Sequence, residues 1–242
     1  MRPIRRGASP RHQDYANYTE AKPDLVARLG PYCSFCERPV VTQLAVEHVQ
    51  PKGLPAYSHL IGRWDNFLLA CVNCNSTKTD KDVVLSQVLL PDRDNTFVAF
   101  DYLHNGTITA SAQAQATGFG ETANASLSLT GLDKTALNTP DENGKQVALD
   151  RVRQRMEAWL NAQEALSSIQ AQPGNAILRN TVVKLAIATG FFSVWMTVFA
   201  SDADMRRSLV QAFPGTEGSG CFDLATGNPV SPAPNPDGLA AG

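Results

Sequence analysis

The sequence lacks an apolar run long enough to cross a lipid bilayer. The strongly apolar stretch from Leu185 to Ala200 has 16 residues, short of the roughly 20 that a transmembrane helix needs. No apolar segment follows the arginines near the start of the sequence, so a secretory signal is not expected. We therefore expect a buried core helix over 185–200, no membrane partner and a cytoplasmic location.

The sequence also lacks a strong excess of charge of either sign. The net charge is −2, from 21 Lys+Arg and 23 Asp+Glu, and by itself it neither favours nor excludes nucleic-acid binding. Residues 1–82 carry 11 basic and 8 acidic side chains, so a weak basic excess lies in the first third of the chain. Apolar residues make up 43%, which excludes a fully disordered protein.

Cysteine is scarce, and its spacing is informative. Four of the five cysteines form two Cys-x-x-Cys pairs, Cys33 with Cys36 and Cys71 with Cys74. The odd total argues against a secreted disulfide framework, whereas four thiolates complete a closed structural Zn²⁺ site. The 34 residues between the pairs exceed the roughly 15–20 of a compact zinc ribbon, so an inserted element is expected there. Two redox-active Cys pairs remain the alternative.

The segment between and just after the pairs is rich in residue types that suit phosphodiester hydrolysis: Glu47, His48, Lys52, Asn66, Asn75 and Lys78. A neutral imidazole can accept a proton from water near pH 7. Carboxylate and amide oxygens are ligands for Mg²⁺ or Mn²⁺, and lysines carry positive charge towards phosphate. Because neighbouring residues of a strand point to opposite sides, we expect regular β-structure to stop by Glu47.

The pattern "CSFC…AVEHVQPKG…WDNFLLACVNCNSTK" resembles the HNH endonuclease motif of the ββα-metal superfamily. It spans about residues 33–78, a fifth of the chain. The resemblance implies that His48 is the general base that activates water. It also implies that Glu47 and Asn75 hold one catalytic divalent metal, Mg²⁺ or Mn²⁺. Asn75 stands where the family name has its third letter, His.

The resemblance assigns further roles around this centre. Asn66 would fix the loop that carries His48, and Lys52 and Lys78 would lie near phosphates. Non-catalytic alternatives stay open: Asn66 could be a turn residue or helix cap, and the two lysines could be ordinary solvated side chains. A packed structural role is the corresponding alternative for His48.

The whole chain is predicted to have an α+β fold, with a small ββα-metal module, a hairpin and a mostly helical C-terminal region. Helices are predicted at 22–30, 140–170, 176–200 and 202–213, a helical turn at 67–70, and a hairpin turning at Asn105-Gly106. The predicted regions are a basic flexible arm (1–23), the nuclease module (24–95), a hairpin-bearing connector (96–139), the helical region (140–214) and a flexible tail (215–242).

A second resemblance covers the ends of the chain. "MRPIRRG" and "ATGFFSVWMTVFASDADMRRSLVQAFPGT" are similar to stand-alone HNH proteins encoded beside an SMC-like or ABC-type ATPase in bacterial anti-phage systems of the Septu and retron-associated kind. This implies an ATPase partner, with the helical region as its docking surface or simply as a supporting core. The rival to an enzyme acting on DNA is a non-catalytic, zinc-stabilised nucleic-acid-binding or scaffold subunit.

Overall fold

The computed structural model describes residues 1–134 and 149–230, without the side chains of Leu149 and Asp150. Its architecture is α+β, as predicted. The strands are β1 (Ala45–His48), β2 (Phe67–Ala70), β3 (Phe100–Tyr102) and β4 (Ile108–Ala110). The helices are α1 (Lys22–Leu29), α2 (Val72–Lys78), α3 (Ala112–Ala116), α4 (Gly120–Thr130), α5 (Leu149–Ala171), α6 (Ala176–Thr189), α7 (Phe192–Val198) and α8 (Ala203–Ala212).

The β1, β2 and α2 elements form the ββα unit at the centre of the molecule. β1 and β2 are antiparallel, with Ala45 opposite Ala70 and His48 opposite Phe67, and α2 packs against both strands. The helical turn predicted at 67–70 is wrong, because these residues form β2. All four are buried, so the run is a core strand covered on both faces, and such a run lacks the alternation that would distinguish it from a helix.

The first Cys-x-x-Cys turn is fastened to this hairpin by hydrogen bonds. The Ser34 N–H donates to the Leu69 carbonyl at 2.7 Å, and the Leu69 N–H donates to Ser34 Oγ at 3.2 Å. An isolated bridge between Tyr32 and Pro39 closes the turn. The two cysteine pairs therefore meet at the end of β2, although 34 residues separate them in sequence.

The predicted hairpin is present as β3 and β4. Its turn is not the type I′ turn that an Asn-Gly pair usually favours, since Gly106 adopts a positive φ of 76° and Asn105 does not. The Gly106 N–H donates to the Leu103 carbonyl, and the Asn105 side chain accepts from the Thr107 N–H. A type I′ turn needs positive φ at both central residues, so a longer turn with glycine in the left-handed region forms instead.

The helix predicted over 176–200 is interrupted, with α6 ending before Gly190 and α7 beginning at Phe192. Gly190 (φ 73°) and Phe191 (φ 56°) are both left-handed. A Cβ atom on Gly190 would lie 2.5 Å from Pro39 and 2.8 Å from the Glu37 carbonyl oxygen. The break thus lets the chain approach the first cysteine turn, where the Phe191 N–H donates to Glu37 at 3.0 Å.

The predicted flexible arm differs from the structure over residues 1–6. Met1, Arg2, Ile4 and Arg6 are buried, and the Arg2 guanidinium donates to the Leu29 carbonyl at 2.7 Å. Arg6 forms a buried ion pair with Asp92 and donates to the Phe67 carbonyl in β2. Composition alone missed this because the partners lie far along the chain.

The predicted flexible tail is also ordered in its first part. Cys221 and Phe222 are buried, and a bridge joins Phe222 to Pro229. The remainder, 231–242, lies outside the described residues, as do 135–139 of the connector and 140–148 of the helical region. Within the described parts of the chain, no helix has the length and apolar character that crossing a membrane requires.

Candidate active site and metal centre

The four cysteines of the two pairs converge on one point. Their sulfur atoms all lie within 4.8 Å of one another, and Cys36 Sγ is 3.7 Å from Cys71 Sγ. A tetrahedral zinc with Zn–S bonds of about 2.3 Å places its sulfurs about 3.8 Å apart, so the thiols fit a four-coordinate metal. Among the described residues, no other group of three or more His, Cys, Asp or Glu side chains is close enough to share an ion.

Basic side chains surround the thiol cluster. Arg151, in α5, is 1% exposed and donates to Cys74 Sγ at 3.2 Å and to the Thr130 carbonyl at 2.7 Å. Half-buried Arg38 donates to the Asn73 side chain, between the second pair of cysteines, at 2.6 Å. Four thiolates around a dication carry a net charge of about −2, and a buried guanidinium offsets part of it. The helical region therefore contributes directly to the surroundings of the four-cysteine cluster.

His48 has a defined tautomer. Its Nε2 lies 3.0 Å from the Ile61 carbonyl oxygen. Because a carbonyl only accepts, Nε2 must carry the hydrogen, and a neutral ring then has its lone pair on Nδ1. Burial lowers the pKa of His48, partly opposed by the Ile61 hydrogen bond. The imidazole is therefore neutral near pH 7 and can accept a proton at Nδ1.

Two aromatic rings fix the plane of the His48 side chain. The Tyr18 ring meets it edge-on, with centroids 4.7 Å apart and an interplanar angle of 71°. Phe67 meets it at 5.3 Å and 89°. These contacts, together with the Ile61 hydrogen bond, leave the ring little freedom to rotate.

Asn66 holds the loop that connects β1 to β2. Its Oδ1 accepts from the Gln50 N–H at 2.8 Å, and its Nδ2 donates to the carbonyls of Gln50 at 3.0 Å and Leu60 at 3.3 Å. Leu60 immediately precedes Ile61, the residue that binds His48. Asn66 lies outside the cavity that His48 lines, and its three hydrogen bonds join the Gln50 and Leu60 parts of this loop.

Glu47 and Lys78 form a buried ion pair. Lys78 Nζ lies 2.9 Å from Glu47 Oε1 and donates to the His48 carbonyl at 2.7 Å. Burial raises the pKa of Glu47, and the Lys78 charge opposes that shift. Because Lys78 is only 1% exposed and its ammonium contacts Glu47 and the His48 carbonyl, it is not placed to contact a phosphate, in contrast to the predicted placement. Lys78 instead connects the end of α2 to the Glu47-His48 dipeptide.

A cavity of about 340 Å³ brings the predicted residues together. Glu47, His48, Lys52 and Asn75 all line it. The carboxylate and the Asn75 amide are oxygen donors of the kind that Mg²⁺ and Mn²⁺ prefer, and Asp80 adds a second carboxylate to the lining. The donor set fits one hard divalent cation.

The expectation that regular β-structure stops by Glu47 is wrong, since β1 continues through His48. The cavity is lined by Ala45, Val46, Glu47 and His48 in succession. Within the described residues, β1 pairs with β2 alone, so its other edge is free to form the cavity wall. At a strand edge, side chains from both faces can border one cavity, which explains how neighbours share it.

Part of the cavity lining lies outside the motif and was not predictable from it. Tyr18 and Lys22, from the segment before the first cysteine pair, line the same cavity. Tyr18 belongs to a 3₁₀ helix (Tyr18–Ala21), and Lys22 is the first residue of α1. No local pattern relates them to His48. The basic character of residues 1–23 is the only signal that could have suggested a contribution from this segment.

Comparison with known proteins agrees with this geometry over the central unit. Residues 33–81, about a fifth of the chain, match the family model described as HNH endonuclease. Neither a curated protein nor a solved structure matches the chain. The matched segment contains both cysteine pairs, β1, β2 and α2, and the cavity-lining Glu47, His48 and Asn75. Residues 33–81 are an HNH endonuclease domain.

Proposed function

We propose that the protein is a metal-dependent endonuclease that hydrolyses phosphodiester bonds of DNA. The observation that carries the proposal is the Nε2 bond of His48 to the Ile61 carbonyl, inside the cavity that Glu47 and Asn75 also line. A neutral, fixed imidazole with its lone pair on Nδ1 is what a general base needs. The nuclease family match at the same residues supports this assignment.

In the proposed reaction, His48 takes a proton from water as the oxygen attacks phosphorus in line with the bond to the leaving 3′ oxygen. The family resemblance implies 5′-phosphate products. Glu47 and Asn75 would hold Mg²⁺ or Mn²⁺, which would supply positive charge at the leaving oxygen. Asn66 keeps the loop, and hence the Ile61 carbonyl, in place against His48. Lys78 orients the Glu47 carboxylate from behind.

We further propose that the four-cysteine centre holds a structural Zn²⁺. Four protein ligands leave no open position for substrate, so this metal contributes folding energy and not chemistry. All five cysteines are free and buried, which suits the reducing cytoplasm that we propose as the location.

A plasmid-nicking assay tests the enzymatic proposal. Zinc-loaded protein, dialysed free of other divalent ions, should convert supercoiled plasmid to open-circular or linear forms only after Mg²⁺ or Mn²⁺ is added. The control is His48→Ala at equal zinc content. Parental cleavage by that variant would exclude His48 as the base. Binding without cleavage in either metal would favour the rival, a non-catalytic binding or scaffold subunit, and cleavage of RNA in place of DNA would reassign the substrate.

We also propose that the nuclease is the effector of a bacterial anti-phage system and acts with an SMC-like or ABC-type ATPase. The resemblance of the chain ends motivates this, and exposed apolar side chains on the C-terminal helices support it. Ile177 is 80% exposed and Leu160 58% exposed. Co-purification of such an ATPase should be lost on Ile177→Asp and retained on Lys184→Asp. Equal retention by both variants would exclude this docking surface.

A further inference from the structure

The cavity of the proposed nuclease has one wall that lies outside the HNH domain. Tyr18, Thr19 and Lys22 line it, and all three precede residue 33, where the family match begins. The chain therefore adds groups of its own to a site whose chemistry lies within residues 33–81. The nature of these groups indicates what they bind.

Tyr18 holds the side chain of Lys52 in a defined place. Lys52 Nζ donates to the Tyr18 hydroxyl at 2.6 Å and lies 4.2 Å from the centroid of the Tyr18 ring. An exposed lysine normally samples many rotamers, whereas this one has both a hydrogen-bond acceptor and a cation–π contact. The same Tyr18 ring packs edge-on against His48, so the Lys52 ammonium is fixed near the proposed base.

Lys22 brings a second positive charge to this wall. It is half-buried, and its side chain forms no ion pair or hydrogen bond within the described parts of the chain. It also begins α1, where the helix dipole disfavours a cation. Of the two acidic side chains in the lining, Glu47 is already paired with Lys78, and the Asp80 carboxyl group lies against Gly53. Lys22 thus faces the cavity without a protein counter-ion.

We propose that Lys22 and the Tyr18-held Lys52 bind two backbone phosphates of a nucleic-acid strand, next to the phosphate that is cleaved. This inference rests on the proposed nuclease function. Phosphate is the anion that such a substrate supplies in series along the strand, and two separated ammonium groups can each neutralise one. Tyr18 acts through Lys52 as a positioning residue.

The test measures binding without cleavage. Full-length His48→Ala protein is titrated into a fluorescein-labelled oligonucleotide, single- or double-stranded, over a series of salt concentrations, with fluorescence anisotropy as the readout. Each lost phosphate contact should reduce the slope of log K against log[salt] by about 0.9 for duplex or about 0.7 for a single strand. Lys22→Met and Lys52→Met should each show that reduction. Lys184→Met, an exposed lysine on α6 that does not line the cavity, should leave the slope unchanged.

A second comparison isolates the positioning role of Tyr18. Tyr18→Phe keeps the ring against His48 but removes the acceptor of Lys52, so affinity should fall by about twofold to tenfold. In the Lys52→Met background the same change should have no further effect, because Tyr18 then has nothing to position. Equal losses in the two backgrounds would show that Tyr18 acts independently of Lys52.

The outcomes separate this inference from the nuclease proposal. Suppose that the parent cleaves DNA but the salt-dependence slopes of Lys22→Met and Lys52→Met equal that of Lys184→Met. The phosphate assignment is then wrong and the nuclease proposal stands. If the lysine variants lower the slope while the parent cleaves nothing, the binding wall is supported and the nuclease proposal fails. Absence of measurable binding by folded His48→Ala protein would overturn the inference.

Discussion

Removal of the Lys78 ammonium should strongly destabilise the fold. In Lys78→Met the side chain keeps a similar length and apolar body but loses its charge. The variant leaves the Glu47 carboxylate, 5% exposed, without its partner at 2.9 Å, and it leaves the His48 carbonyl without its donor at 2.7 Å. Both groups remain buried, so water cannot fully replace the lost contacts.

The expected size of the loss follows from the burial of the pair. Breaking a buried ion pair by removing one partner costs about 3–5 kcal/mol, because the other charge stays uncompensated. Typical domains are stable by about 5–15 kcal/mol in total. The variant should therefore unfold at a clearly lower denaturant concentration, even if it still folds without denaturant.

Urea unfolding of zinc-loaded protein without added Mg²⁺ or Mn²⁺, followed by circular dichroism, measures this loss. Lys184→Met is the control, since it removes an exposed lysine on α6 and should change stability by less than about 0.5 kcal/mol. The double variant Glu47→Gln/Lys78→Met should recover much of the loss, because neither charge remains. A loss below about 1 kcal/mol for Lys78→Met, or a double variant no more stable than the single one, would refute the reasoning.

Three further outcomes are expected. Cys71→Ser should abolish zinc binding, measured by metal analysis, and lower the melting temperature sharply, measured by calorimetry. The reason is that structural zinc sites contribute about 10–16 kcal/mol in zinc-finger peptides. An unchanged melting temperature would exclude a structural metal. Asn66→Ala should lower the free energy of unfolding, measured with urea, by about 3 kcal/mol, because three hydrogen bonds of about 1 kcal/mol each are lost. It should slow cleavage as well. Parental stability and cleavage rate would contradict the bracing role. Glu37→Gln should destabilise the protein by about 1–3 kcal/mol, since one of the two oxygens that accept from Ser193 becomes a donor and the buried Met1 ammonium loses its charged partner. Wild-type urea resistance would argue against these contacts.

Much of the central unit was predictable because its signals are local. Two residues between the cysteines of each pair define a bidentate turn, and the positions of Glu47, His48 and Asn75 relative to these pairs resemble the HNH motif. Asn66 could be assigned to the loop by its place in the motif. The fully buried β2 was misassigned, because a short apolar run has no periodicity that separates strand from helix.

The placement of charged groups could not be predicted in the same way. Lys78 and Lys52 are the same residue type and both lie within the motif, yet one is buried in an ion pair and the other is exposed against Tyr18. Burial depends on which distant elements cover a side chain. The same reason applies to Arg6, whose partner Asp92 is 86 residues away, and to Arg151, which reaches Cys74 across 77 residues.

The sequence by itself determined which four cysteines could share a metal ion and which residues are candidates for the site, because donor atoms and their spacing are properties of the residues themselves. The tertiary structure decided that β1 offers a free edge to the cavity, that Lys78 faces inward, and that Tyr18 and Lys22 complete the wall. Those arrangements depend on packing between segments far apart in the chain, where close packing and the cost of burying an unpaired charge select one arrangement.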